Sequence, residues 1–135
     1  MSFKAVIEDT IAQKIEEIKK YEKVVPYKYG GNTTAGWDCS GFTQWALNYL
    51  GVSIPRTASE QSKGGVAINI NDMSLWQPGD VLCYSLNGKI THAALYLGDG
   101  MLMHALNNET GTVIHSVAYY ERIDTNTLAT VRRYL

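Results

Sequence analysis

Midway along this chain the spacing of apolar residues changes, and that change limits the folds open to it. Within residues 4–21, Ile7, Ile11, Ile15, Ile18 and Tyr21 recur at intervals of three or four, with Lys and Glu filling the other face. That is the pattern of an amphipathic helix packed on a core. A second helix is predicted from Cys39 to about Leu50, with Phe42, Trp45, Ala46 and Tyr49 as its buried stripe and Gly51 as its stop. Between them, Pro26, Gly30, Gly31 and Gly36 mark a loop that carries Tyr27 and Tyr29. Pro55 opens a short helical or turn-rich piece, PRTASEQ, which Gly64-Gly65 closes. Short β-rich runs follow at 81–84, 91–97, 101–106, 112–117 and 128–135, with turns at Asn87-Gly88 and Gly98-Asp99-Gly100. Helices first and antiparallel strands after predict an α+β domain with one sheet covered by the helices.

The chain of 135 residues is read as one domain, 1–135, able to bury roughly two thirds of its unfolded surface without metal or disulfide staples. A formal net charge of -1 with no basic run argues against a nucleic-acid partner and against attraction to an anionic membrane. No segment approaches a membrane-spanning run, and the N-terminal stretch lacks the basic-then-apolar layout of a signal peptide. Three origins fit that reading: a cytoplasmic protein, a phage-encoded one delivered to its target, or an excised domain of a secreted protein. A monomer is expected.

The two cysteines differ in setting. Cys83, between Leu82 and Tyr84 in a strand, reads as a small core residue. No CxxC spacing suggests zinc, and pairing with Cys39 would need closely aligned Cβ atoms. Cys39 lies in GWDCSGF at a predicted helix start, where unpaired N–H groups and the helix dipole lower a thiol pKa. Small neighbours leave room for an approaching group. Asp38 opposes a thiolate, unless its charge is spent as the helix cap or on a cationic substrate group.

A nucleophilic cysteine needs a base, and the base a partner to orient it. His92 opens one strand and His104 lies in the next. If Gly98-Asp99-Gly100 is a three-residue loop, Leu97 pairs with Met101 and Ala94 with His104, and both histidines share a face. A two-residue turn reverses the parity. His115 has no comparable neighbourhood and is assigned no role. A zinc site of Cys39, His92 and His104 is the competing cluster, although its spacing matches no zinc motif.

Six blocks carry a resemblance to a known family: PYKYGG at 26–31, DCSGF at 38–42, LGVSIPRTASEQ at 50–61, PGDVLCY at 78–84, THAALYLGDG at 91–100 and MHA at 103–105. In this order and spacing they resemble the NlpC/P60 family of papain-like cysteine peptidases, which cut bacterial cell-wall peptides. The resemblance implies a papain-like fold, Cys39 as nucleophile, His92 as general base, His104 as its orienting partner and Tyr27 as a helper of the oxyanion. It also implies that Asp38 and Ser40 hold the free amine of a stem peptide. Arg56 joins these two as a substrate-binding residue, and Trp37, two residues before Cys39, is expected beside the site. The implied substrates are peptidoglycan stem peptides or muropeptides, cut between D-glutamate and the diamino acid, with no cofactor. Two alternatives stay open. One is another thiol enzyme on this scaffold, an N-acetylmuramoyl-L-alanine amidase or a lipid-directed acyl hydrolase or transferase. The other is a non-catalytic phage-tail or wall-associated protein.

Overall fold

A computed structural model describes residues 2–135. Ser2 caps helix α1 (Phe3–Lys19), its hydroxyl accepting from the Ala5 N–H. The apolar stripe docks only through its C-terminal half. Ile15 and Ile18 are buried and Ile11 partly so, while Ile7, expected in the core, stands exposed. A two-stranded ribbon, β1 (Asn32–Thr33) and β2 (Gly36–Trp37), leads into α2 (Cys39–Leu50), which ends at Gly51 with φ +108°, a left-handed cap suited to glycine. Phe42 and Ala46 of α2 are buried as expected. Leu47 and Leu50 complete the stripe where Tyr49 was expected; Tyr49 instead stacks on Trp45 at the surface. Thr57 caps the one-turn helix α3 (Ala58–Gln61).

The rest of the chain forms a six-stranded antiparallel sheet ordered β3-β8-β4-β5-β6-β7. Its strands are β3 (Val66–Ile68), β4 (Val81–Leu86), β5 (Lys89–Gly98), β6 (Met101–Ala105), β7 (Thr112–Ser116) and β8 (Thr127–Arg133), with helix α4 (Val117–Ile123) between the last two. Both faces are buried. Val81, Cys83, Ala93, Leu95, Met103 and Ala105 pack with Phe42, Ala46 and Leu47 of α2. Leu82, Tyr84, Ala94, Tyr96 and Leu102 pack with Val117 and Tyr120 of α4 and with Trp76. Two-sided burial is why residues 92–97 show no polar alternation. Each large side chain so buried contributes about 1.5–3 kcal/mol. Among the described residues, no helix is long and apolar enough to cross a membrane.

The β5–β6 turn departs from expectation in its construction. Gly98, not Leu97, pairs with Met101, and Asp99-Gly100 form a two-residue turn with φ of 52° and 75°. The parity is then reset by an irregularity between Tyr96 and Gly98, so that Leu95 meets Met103 and Tyr96 meets Leu102. That is the offset a three-residue loop would have given. His92 and His104 share the face that α4 covers.

Candidate active site

The site begins with two crossing backbones. A Cβ on Gly41 would stand 1.9 Å from the Gly31 carbonyl oxygen, so only glycine admits this approach. The Asp38 N–H donates to that same carbonyl, holding the loop against the start of α2. Asp38 is the N-cap: its Oδ1 accepts from the Gly41 N–H at 2.8 Å and its Oδ2 from the Gly30 N–H at 2.9 Å. Arg56 donates one nitrogen to each oxygen at 3.0 Å, and also reaches Ser40 Oγ and the Gly31 carbonyl. The Ser40 hydroxyl completes the set around Oδ1 at 3.4 Å. Burial alone would raise the Asp38 pKa; Arg56 and the two backbone N–H groups outweigh it and hold the carboxyl below the usual range. Gln61, fully buried, ties α3 beneath α2 through Thr43 and the Ser40 carbonyl.

Cys39 follows as the first residue of α2, so its N–H has no carbonyl one turn earlier to bond. The thiol lies against β5. Burial pushes its pKa up, the Ala93 N–H and Ser40 pull it down, and the Asp38 charge adds to the rise. The expected lowering by the helix start is therefore overturned: burial wins and the resting sulfur is a thiol. A groove exposes it between Tyr27, Asp38, Ser40, Arg56, Thr57 and Thr91. Burial, followed by the Cys39 and Asp38 charges, raises the pKa of the Tyr27 phenol, so it is a neutral donor in the same groove. Both cysteines are free, and Cys83 is an inert core thiol pushed up to about 12 by burial.

Ala93 directly follows His92, so the thiol meets β5 at the residue beside this histidine. No hydrogen bond joins sulfur and ring in this state; such contacts are often long until substrate binds. His92 Nε2 lies 2.8 Å from His104 Nδ1, which leaves His92 Nδ1 as the ring nitrogen available to a reacting proton. The Tyr120 ring walls both imidazoles, with centroids 5.5 and 4.8 Å away. Burial drives the His92 pKa down to about 4 and that of His104 well below its ordinary value, the latter helped by its two histidine neighbours. Both rings are neutral at physiological pH.

The chain of rings continues. His104 Nε2 is 3.2 Å from His115 Nδ1, so the histidine set aside in the sequence is the third member of the row. The signal was available in principle: β7 pairs His104 with Val113, and His115 lies two residues on, across the same face. The loop from Leu106 to Gly111 carries turn residues, with Asn107 Oδ1 accepting from the Glu109 and Thr110 N–H groups and Gly111 at φ +72°, but a loop of this length does not by itself fix that register. Trp37 is corrected the other way. It is fully buried and offers substrate no surface, its indole N–H donating to Thr112 Oγ1 at 2.8 Å. Among the described residues, no three His, Cys, Asp or Glu side chains converge as a metal site. The zinc alternative needs His92 and His104 aimed at one point, whereas they aim a nitrogen at each other.

The NlpC/P60 family model matches residues 24–132. The chain is 37% identical over 112 residues to a gamma-D-glutamyl-L-lysine dipeptidyl-peptidase of Bacillus subtilis, covering 81% of this chain and 36% of that protein. It is also 37% identical over 94 residues to a probable endopeptidase of Corynebacterium glutamicum, covering 70% of this chain and 43% of the relative. The chain thus spans less than half the length of these relatives. An NlpC/P60 family protein from Bacillus cereus superposes with a TM-score of 0.79 at 32% identity, over 92% of this chain and 40% of that one. The NlpC/P60 domain of the peptidoglycan hydrolase SagA gives 0.71 at 25% identity, over 93% and 97%.

Proposed function

Since the chain belongs to the NlpC/P60 family, we propose that it is a cysteine peptidase that hydrolyses the bond between γ-D-glutamate and the diamino acid of peptidoglycan stem peptides. The observation that carries this reading is the Cys39 thiol, which lines the groove and meets β5 at Ala93, next in sequence to His92, whose ring is held from behind by His104. His92 Nδ1 takes the thiol proton as sulfur attacks the amide carbon. The Cys39 N–H and the Tyr27 hydroxyl donate to the developing oxyanion. His92 then protonates the leaving amine, and water hydrolyses the thioester. Because thiol and imidazole both rest neutral, the proton moves during attack rather than before it.

The groove walls supply polar side chains from Asp38, Ser40, Arg56, Thr57 and Thr91, which suit a peptide better than an acyl chain. Asp38 already accepts five hydrogen bonds, so a substrate ammonium must share oxygens held by Arg56 and the backbone. Its pull on a free amine is weaker than that of an unpaired carboxylate. Hydrolysis of free and N-acylated L-Ala-γ-D-Glu-diamino-acid peptides measures this: a clear preference for the free amine keeps Asp38 as its reader, and equal rates remove that role.

The decisive experiment digests muropeptides from a diaminopimelate wall and a lysine wall, read by mass spectrometry, with Cys39→Ala alongside. Release of L-Ala-γ-D-Glu by wild type alone is expected. Cleavage between muramic acid and L-alanine instead would make the protein an amidase.

A further inference from the structure

Resting on the functional reading above, we propose that His115 is a positioning residue for the reaction: through His104 it sets which nitrogen of His92 carries the proton. The three rings form one row, His92 Nε2 to His104 Nδ1 at 2.8 Å and His104 Nε2 to His115 Nδ1 at 3.2 Å. A neutral imidazole has one N–H and one bare nitrogen, so the row can be ordered in only two ways. In the outward order, His92 Nε2–H donates to His104, His104 Nε2–H donates to His115, and His92 Nδ1 is bare and able to take the thiol proton. In the inward order, His115 donates to His104 and His104 to His92, which leaves the proton on His92 Nδ1. A ring in that state cannot act as base toward Cys39.

Burial makes the choice at the far end consequential. His104 is wholly inaccessible to solvent and His92 nearly so. His115 is half-buried, and its Nε2 bonds to no other described residue, so solvent can hold an N–H there. It is therefore the ring that can present a bare Nδ1 to His104 at no loss. The groups facing it are His104 from β6, Tyr119 of α4, whose ring centroid is 5.0 Å away, and Glu22 from the turn after α1, which accepts from the Ile114 N–H. None of these supplies His104 Nε2 with another acceptor. Without His115, His104 Nε2 has no partner in either order; an orphaned buried N–H is less well tolerated than an orphaned acceptor, so the outward order loses more and the inward order gains.

The test is nitrogen-15 imidazole spectroscopy, which reads each ring's tautomer whether or not substrate turns over, on wild type, His115→Leu and His115→Asn. Wild type is expected to show His92 and His104 both protonated at Nε2. His115→Leu should move both to Nδ1 and lower kcat by about tenfold or more with KM little changed. His115→Asn, whose amide oxygen can replace Nδ1 as acceptor, should restore the wild-type tautomers and most of kcat. A wild-type His92 protonated at Nδ1 overturns the proposal, as do unchanged tautomers in His115→Leu. If His115→Leu does not fold, the wild-type spectrum still decides. An inactive wild type with the outward order would sink the peptidase reading and leave this one standing.

Discussion

The two walls of the groove are built on opposite electrostatic plans. Around Cys39 the wall is ionic: Arg56 donates two hydrogen bonds to Asp38, and each is further tied to backbone or Ser40. Around His92 the wall is neutral: a row of imidazoles packs against Tyr120 and Tyr84, driven away from charge by burial. One wall is held in place by permanent charges, and the other is kept uncharged by burial. An ion pair beside His92 would hold a proton there permanently, and a neutral cap at Asp38 would leave the helix start loose.

The contrast breaks most visibly when one of the two groups proposed to react is removed. Cys39→Ala and His92→Ala are each expected to lower kcat by roughly four orders of magnitude or more, with folding intact by circular dichroism. Next comes the response of the neutral wall to acid. The folded pKa of His92 lies at about 4, below its ordinary 6.5, so between these values the unfolded chain binds more protons. Stability is full above pH 6.5 and falls as pH drops toward 4, by about 2–3 kcal/mol from His92 alone. Urea titrations at pH 7.5 and 4.5 measure it, and a flat profile would mean that His92 is not buried as described. The ionic wall behaves differently. Arg56→Met strands a mostly buried carboxylate and should cost about 2 kcal/mol at neutral pH. Because the folded Asp38 pKa is depressed, its contribution is present above the unfolded carboxyl pKa and lost as pH falls through the folded one. The Arg56→Met deficit should therefore shrink in acid. Smallest is Trp37→Phe, which removes the bond to Thr112. It should cost about 1 kcal/mol with KM unchanged, whereas a rise in KM would return Trp37 to the groove.

Much of this was legible from residue order, and the exceptions share a cause. The Asp38 cap, the Gly51 stop and the Asn87-Gly88 turn are local features, and local chemistry predicts them. The pairing of His92 with His104 depended on parity. It came out as expected although the turn is shorter, because an irregularity at Leu97 restored the missing residue. Strand β3 escaped notice as a short edge strand with Val66 largely exposed. Helix α4 was hidden because its apolar and tyrosine residues extend the run of β7, and only Ser116 as a cap separates them. His115 and Tyr120 needed the β6–β7 register and the docking of α4, neither of which any short motif encodes. The thiol pKa failed similarly: the helix start is visible in sequence, while the burial that outweighs it is a property of packing.

Strand β8 has a consequence for synthesis. It is made after every other strand, yet it sits between β3 and β4. At roughly 5–20 residues per second, a ribosome leaves those two strands without their shared neighbour for a few seconds. During that interval the nascent chain carries an unpaired β4 edge with apolar residues on both sides, open to pairing with other nascent chains. Slower translation between Leu86 and Thr127 would lengthen that exposure, so yield in expression should depend on codon choice there more than within the helical first half.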